Sequence, residues 1–165
     1  MEFLLVCVSK FENEHLVHRD IKPENIMISN KDSFFILDFG IARMLDEKSL
    51  TATAARFGPA TLGYAAPEQF NNIKKQIDSR TDLFSIGIVI YECITGINPL
   101  MENTLSPFEI IAKMDDFTIK KLEIKNDKDG SLSNFIDVLM QKWPSRRPRN
   151  ANEALRWFKE IKNNL

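Results

Sequence analysis

The chain has 165 residues, of which 44% are hydrophobic and 27% charged, and its formal net charge is -1. This length and hydrophobic content predict one globular unit with a buried core, and they argue against a disordered chain, a collagen-like chain and a disulfide scaffold. The mixed, nearly balanced charge provides no basic field for nucleic acid, and no apolar run reaches the ~20 residues of a membrane span, so we expect neither nucleic acid nor a membrane as a partner.

The two cysteines, Cys7 and Cys93, each lie in an apolar run without metal-ligand spacing. This pattern is typical of buried, reduced thiols. Because thiols stay reduced in the cytosol, we expect a cytoplasmic protein.

The first predicted elements are a helix over residues 1–14 and two short strands at 26–28 and 34–37. The strands are rich in β-favouring residues, and the polar turn between them predicts a hairpin. The hairpin would bring Asn25 and Asp38 to neighbouring strand ends. Local chain geometry therefore predicts two oxygen ligands for one metal side by side.

From residue 41 to 64 the hydrophobic periodicity fades, which predicts a long mobile segment without regular structure. A long helix is then expected from a cap at Thr81 and Asp82 to about Thr95, where Gly96 is a stop signal. Apolar side chains surround its whole circumference, which predicts a helix that is buried on every side.

The remaining predicted elements are helical. A helical turn is expected after Pro67, and Ser106 followed by Pro107 predicts the start of a further helix. Two more helices are expected over 131–143 and 150–162. The sequence therefore predicts a mainly α fold with one short β-hairpin.

Three short strings carry side chains suited to phosphoryl transfer: His-Arg-Asp-Ile-Lys-Pro-Glu-Asn at 18–25, Asp-Phe-Gly at 38–40 and Ala-Pro-Glu at 66–68. That reaction needs groups that position a hydroxyl, hold metal ions on the phosphates and neutralise developing charge. Asp20 can accept the proton of the hydroxyl, and Lys22 can contact the transferring phosphate. Asn25 and Asp38 supply hard oxygen ligands that suit Mg²⁺.

In these strings and their order, the chain resembles the eukaryotic-type (Hanks-type) serine/threonine protein kinases. The resemblance covers essentially the whole chain and implies a protein kinase-like fold. Residues 1–165 would be the helical C-terminal lobe of the catalytic domain, with an activation segment at about 38–68. It also implies ATP and Mg²⁺ as cofactors and a protein substrate whose serine or threonine hydroxyl accepts the phosphate.

The same resemblance assigns roles at the reaction centre. Asp20 would be the catalytic base, and the hydroxyl of Thr61 would bond both Asp20 and Lys22. Lys22, Asn25 and Asp38 would contact ATP and its Mg²⁺. Lys22 is also the residue that marks a serine/threonine rather than a tyrosine kinase.

Further residues would have structural or regulatory roles by resemblance: His18, Arg19, Phe39, Gly40, Glu68, Asp82 and Arg147. Arg19 is similar to the arginine that binds a phosphorylated activation loop, for which Ser49, Thr51 and Thr53 are candidates. The alternative is that these three hydroxyls are ordinary parts of a polar loop and are not phosphorylated.

For three of these residues the resemblance implies more specific contacts. Glu68 and Arg147 resemble a buried ion pair that ties the activation segment to the last helices, the alternative being an exposed pair of little energetic weight. Asp82 resembles the aspartate that holds the backbone of the catalytic loop from within the buried helix.

The chain also departs from the family pattern. Its six glycines lie at 40, 58, 63, 87, 96 and 130, so no glycine-rich phosphate loop can be built from them. We therefore expect the N-terminal lobe to be missing from this chain or supplied in trans. The preferred function is a protein serine/threonine kinase, and the alternatives are a catalytically silent kinase-lobe scaffold or half of a two-chain kinase.

Overall fold

The computed structural model describes residues 1–29, 34–38, 59–71, 73–104, 106–116 and 119–164. Its helices are α1 (Glu2–Asn13), α2 (Pro59–Leu62), α3 (Pro67–Phe70), α4 (Ser79–Thr95), α5 (Pro107–Asp116), α6 (Ser131–Leu139) and α7 (Ala151–Asn164). Its strands are β1 (Ile26–Ile28) and β2 (Phe34–Ile36), and short 3-10 turns lie at Pro23–Asn25, Lys74–Gln76 and Pro144–Arg146. The predicted mainly α fold with a short hairpin is confirmed.

Helix α4 lies at the centre of the core and packs against α1, α6 and α7. Its N-terminal cap is Asp78, whose carboxylate accepts a hydrogen bond from the Arg80 amide at 2.9 Å. The predicted cap at Thr81 and Asp82 is therefore wrong, because both residues already lie inside the first turn. The predicted end is confirmed, since Gly96 follows the helix at φ 75°, a left-handed conformation that glycine adopts without strain.

The last turn of α4 lies at the surface. The helix is buried around its circumference from Thr81 to Val89, whereas Ile94 is 43% exposed. The prediction of a helix buried on every side is thus wrong for this turn. The predicted burial of both thiols is also wrong, because Cys93 lies in the exposed turn and Cys7 is only half-buried.

The predicted hairpin is confirmed. β1 and β2 pair antiparallel, with Ile26 opposite Ile36 and Ile28 opposite Phe34. Beyond the strands, the Leu37 amide donates to the carbonyl oxygen of Asn25 at 2.8 Å. The backbone of Asn25 is therefore fixed next to the chain that leads into Asp38. Residues 30–33, which contain most of the predicted turn, lie outside the described residues.

Two helix predictions need correction. The segment expected to lack regular structure contains the helix α2, while residues 41–58 lie outside the described part of the chain. Helix α6 ends at Leu139 rather than at 143. The guanidinium of Arg147 donates to the carbonyl oxygens of Gln141 and Lys142, at 2.7 and 3.0 Å, and these tertiary hydrogen bonds hold the two residues outside the helix.

Two predicted helix starts are correct. The Glu109 amide donates to the Ser106 hydroxyl at 3.4 Å at the start of α5, and the Glu153 amide donates to Asn150 Oδ1 at 2.8 Å at the start of α7. Neither these helices nor the others in the described ranges are long and apolar enough to cross a membrane.

Candidate active site

The loop that carries residues 18–25 is held by the core through Asp82. This carboxylate is fully buried in the first turn of α4 and accepts hydrogen bonds from the amides of His18 and Arg19, at 2.8 and 2.7 Å. Arg19 has φ 68°, an unfavourable left-handed conformation for a long side chain, and the two bonds stabilise it. The central helix therefore sets the position of the loop.

Burial raises the pKa of Asp82 from 3.8 to about 7, because the loss of water outweighs the two amide donors. Between these pH values the folded protein keeps a proton that the unfolded chain releases. Asp82 therefore contributes stability below about pH 4 that is lost as the pH rises through about 7. Asn cannot titrate, so we expect the free energy of unfolding of Asp82→Asn to fall less than that of the wild type as the pH rises. Urea titrations from pH 4 to 8 measure it, and equal slopes for the two proteins would contradict the assignment.

His18 links the loop to the hairpin. The ring is buried, its Nε2 lies 3.1 Å from the carbonyl oxygen of Leu37, and its Nδ1 accepts a 3.4 Å hydrogen bond from the Asp20 amide. Burial lowers the pKa of the imidazole, which favours the neutral ring. His18 thus joins the chain at Asp20 to the chain just before Asp38.

Four predicted site residues form one hydrogen-bonded cluster. Asn25 Nδ2 donates to the carbonyl oxygen and to Oδ2 of Asp20, at 2.8 and 3.0 Å. Lys22 Nζ lies 3.4 Å from Asp20 Oδ2 and donates to Thr61 Oγ1 at 2.9 Å. Because Asp20, Asn25 and Thr61 are each less than 10% exposed, this cluster holds a carboxylate and an ammonium group in fixed positions.

Asn25 and Asp38 are suited to Mg²⁺ by the chemistry of their oxygens. The amide nitrogen of Asn25 is committed to Asp20, which leaves Oδ1 for a metal. Asp38 is exposed, and it follows Leu37, whose amide is bound to the Asn25 carbonyl oxygen. The described residues contain no group of three or more His, Cys, Asp or Glu side chains that could hold a metal ion. Mg²⁺ is usually bound by one or two carboxylates together with substrate phosphates, and Asn25 and Asp38 fit that mode.

The buried Nε of Arg19 has no hydrogen-bond partner among the described residues. A buried donor without a partner is destabilising, so this atom is available for an anion. The candidate phosphorylation sites Ser49, Thr51 and Thr53 lie outside the described residues, and so do Phe39 and Gly40. Their predicted roles stay predictions.

Glu68 and Arg147 meet although 79 positions separate them. Two hydrogen bonds join the guanidinium to the carboxylate, at 2.7 and 3.0 Å, and both side chains are almost completely buried. The carboxylate also accepts from the Thr81 hydroxyl at 2.8 Å, and the guanidinium donates to the Arg80 carbonyl oxygen at 2.9 Å. The pair therefore connects α3, α4 and the segment before α7.

Sequence reasoning missed the side chains that hold the segment after Thr61. Ser85 donates to the Tyr64 carbonyl oxygen at 2.8 Å, and the Tyr64 hydroxyl donates to Glu92 at 2.5 Å. A third contact comes from Asn98. The available signal was that Ser85 and Glu92 interrupt the apolar pattern of α4, whereas nothing marked Asn98.

Comparison with known families identifies the class of protein to which this site belongs. The sequence model of the protein kinase domain matches residues 2–158, so the chain belongs to the protein kinase domain family.

Three curated relatives illustrate the similarity. The chain is 39% identical to a probable serine/threonine-protein kinase of Clostridium acetobutylicum over 90% of its own length and 22% of the relative's. A probable serine/threonine-protein kinase of Clostridium perfringens is 34% identical over 89% of this chain and 21% of its own length. The serine/threonine-protein kinase PknB of Mycolicibacterium smegmatis is 44% identical over 55% of this chain and 14% of its own. The chain thus spans about a fifth of the length of the first two relatives.

Proposed function

We propose that this chain acts in a serine/threonine protein kinase, which transfers the γ-phosphate of ATP to hydroxyl groups of protein substrates. Residues 1–165 form the C-terminal lobe of the catalytic domain, with an activation segment at about 38–68. The observation that carries the proposal is the contact of Lys22 with both Asp20 and Thr61. It places a proton acceptor and a positive charge together at one point.

In the proposed reaction, the oxygen of the substrate hydroxyl forms a bond to the γ-phosphorus, and the Asp20 carboxylate accepts the proton of that hydroxyl. The bond from that phosphorus to the β,γ-bridging oxygen breaks, and ADP leaves. The ammonium group of Lys22 neutralises charge on the transferring phosphoryl group. Bound Mg²⁺, held by Asn25 and Asp38, would supply further neutralisation of the phosphates.

The names of the relatives and the Lys22 position support serine and threonine as acceptors. We further propose a cytoplasmic reaction, because ATP is abundant there and the free thiols Cys7 and Cys93 would stay reduced.

The test is incubation of the purified protein with radiolabelled ATP, Mg²⁺ and casein, followed by acid hydrolysis of the labelled protein. We expect phosphoserine or phosphothreonine, and we expect EDTA to abolish the transfer. Transfer that survives EDTA, or label on tyrosine alone, would contradict the proposal. A folded wild-type protein that transfers nothing would favour the alternatives, which are a silent binding or scaffold module and half of a two-chain kinase.

The hydroxyl of Thr61 is expected to matter for the rate. Thr61→Val keeps the shape of the side chain but leaves Lys22 without its 2.9 Å acceptor, so we expect kcat to fall by about tenfold. Thr61→Ser restores the hydroxyl and should recover most of the activity. The proposed role would be wrong if Val and Ser had equal rates in the casein assay.

A further inference from the structure

The segment 61–65 runs from the proposed reaction centre into the core. Its first residue, Thr61, is bound to Lys22 beside Asp20. All five of its residues are buried. Within the segment, the Thr61 carbonyl oxygen accepts from the Tyr64 amide at 3.2 Å, which makes a tight turn. The turn therefore begins at a residue that Lys22 joins to Asp20, the proposed acceptor of the substrate proton.

The side chain of Asn98 binds this turn from the loop between α4 and α5. Its Nδ2 donates to the carbonyl oxygen of Gly63 at 3.2 Å. Its Oδ1 accepts from the amides of Leu100 and Met101, at 3.0 and 3.2 Å. The oxygen thus stabilises the loop of Asn98 itself, while the nitrogen holds the segment 61–65.

The turn at 61–65 and the loop that carries Asn98 can approach closely because position 63 is a glycine. A Cβ atom there would lie 2.5 Å from Met101 Sδ and 3.1 Å from Asn98 Nδ2. Both distances are too short for a side chain to be added without displacing its neighbours. Asn98 is itself only 6% exposed, so water cannot readily replace its hydrogen bond to Gly63.

We propose that Asn98 is a positioning residue for the protein substrate, because its amide fixes the turn that begins at Thr61, beside the Asp20 that the substrate hydroxyl must reach. The proposal rests on the kinase function proposed above. A substrate whose hydroxyl reaches Asp20 comes close to Thr61, the first residue of that turn. A turn that is already rigid loses less conformational entropy when the substrate binds. ATP, by contrast, is assigned to Lys22, Asn25 and Asp38, none of which Asn98 contacts in the described residues.

The test is Asn98→Asp, assayed with casein and ATP varied in turn. Aspartate keeps the oxygen that binds Leu100 and Met101 but replaces the donor to Gly63 by a second oxygen. We expect the KM for casein to rise by about 3- to 10-fold, with the KM for ATP unchanged and kcat altered less. The matched control is Asn103→Asp, which makes the same charge change at an exposed position whose φ of 55° aspartate tolerates.

Each outcome decides between the proposals. Transfer by the wild type with an unchanged KM for casein in Asn98→Asp would overturn the role of Asn98 and leave the kinase function standing. Absence of transfer by the wild type would overturn both. If Asn98→Asp melts below the assay temperature, Gly63→Ala tests the same contact from the other side, because the added Cβ pushes the turn away from Asn98. We expect it to raise the KM for casein similarly, and an unchanged value would also overturn the proposal.

Discussion

Asp20→Asn is expected to lower the rate of phosphate transfer to casein by about 100- to 10,000-fold, the usual contribution of a positioned proton acceptor. Asparagine has nearly the same shape as aspartate, and its amide oxygen can still accept the hydrogen bond from Asn25. It cannot take up the proton of the substrate hydroxyl. The variant should therefore keep the melting temperature of the wild type to within a few degrees while it loses activity.

The matched control for this prediction is Asp129→Asn. Asp129 is exposed, and an asparagine oxygen can replace its carboxylate as acceptor for the Ser131 amide, now at 3.0 Å. We expect unchanged transfer by this variant. Asp20→Asn with more than about a tenth of the wild-type kcat would refute the assignment of Asp20 as the base, because the asparagine cannot take up the proton of the substrate hydroxyl.

Glu68→Ala is expected to destabilise the protein by about 3–5 kcal/mol, because it leaves the guanidinium of Arg147 charged, buried and without its carboxylate. For a chain of this length each kcal/mol corresponds to about 2–4 °C, so the melting temperature should fall by roughly 6–20 °C. Differential scanning calorimetry measures the change directly. A Glu68→Ala protein that melts like the wild type would show that the pair carries no such energy.

The exposed pair of Arg149 and Glu153 supplies the control. The Arg149 side chain is 84% exposed, so water can solvate its charge when the partner is removed, and Glu153→Ala should change the melting temperature little. A double variant, Glu68→Leu with Arg147→Leu, adds a second check. Its loss of stability should be smaller than the sum of the two single losses, because no charge is left buried alone.

Sequence patterns were sufficient wherever the physical cause is local. The hairpin follows from two β-rich runs and a polar turn, and it places the backbone of Asn25 next to Leu37, the residue before Asp38. The end of α4 follows from Gly96, and the start of α5 from Ser106 and Pro107, because each signal acts within one turn of the chain. The three strings likewise predicted the family, since their order and residue types are read directly from the sequence.

Predictions failed where the outcome depends on distant neighbours. A helix that is apolar all around is expected to be buried throughout, yet the last turn of α4 leaves Cys93 and Ile94 at the surface. Helix α6 ends early, and the chain beyond it is held by Arg147, whose guanidinium is itself fixed by Glu68, 79 positions away. Neither outcome has a signal in the sequence near the residues affected.

The sequence by itself determined the family, the chemical groups available for phosphate transfer and most of the local elements, because these depend on residue identity and short spacing. The family resemblance also led us to expect that Asp82 binds the loop at His18 and that Glu68 meets Arg147, and both contacts are present in the structure. Only the tertiary structure decided how these contacts are made and that Asn98 meets Gly63. Such contacts form when buried polar groups find partners as the core closes, and a buried group takes whichever partner the packing of the helices brings within reach.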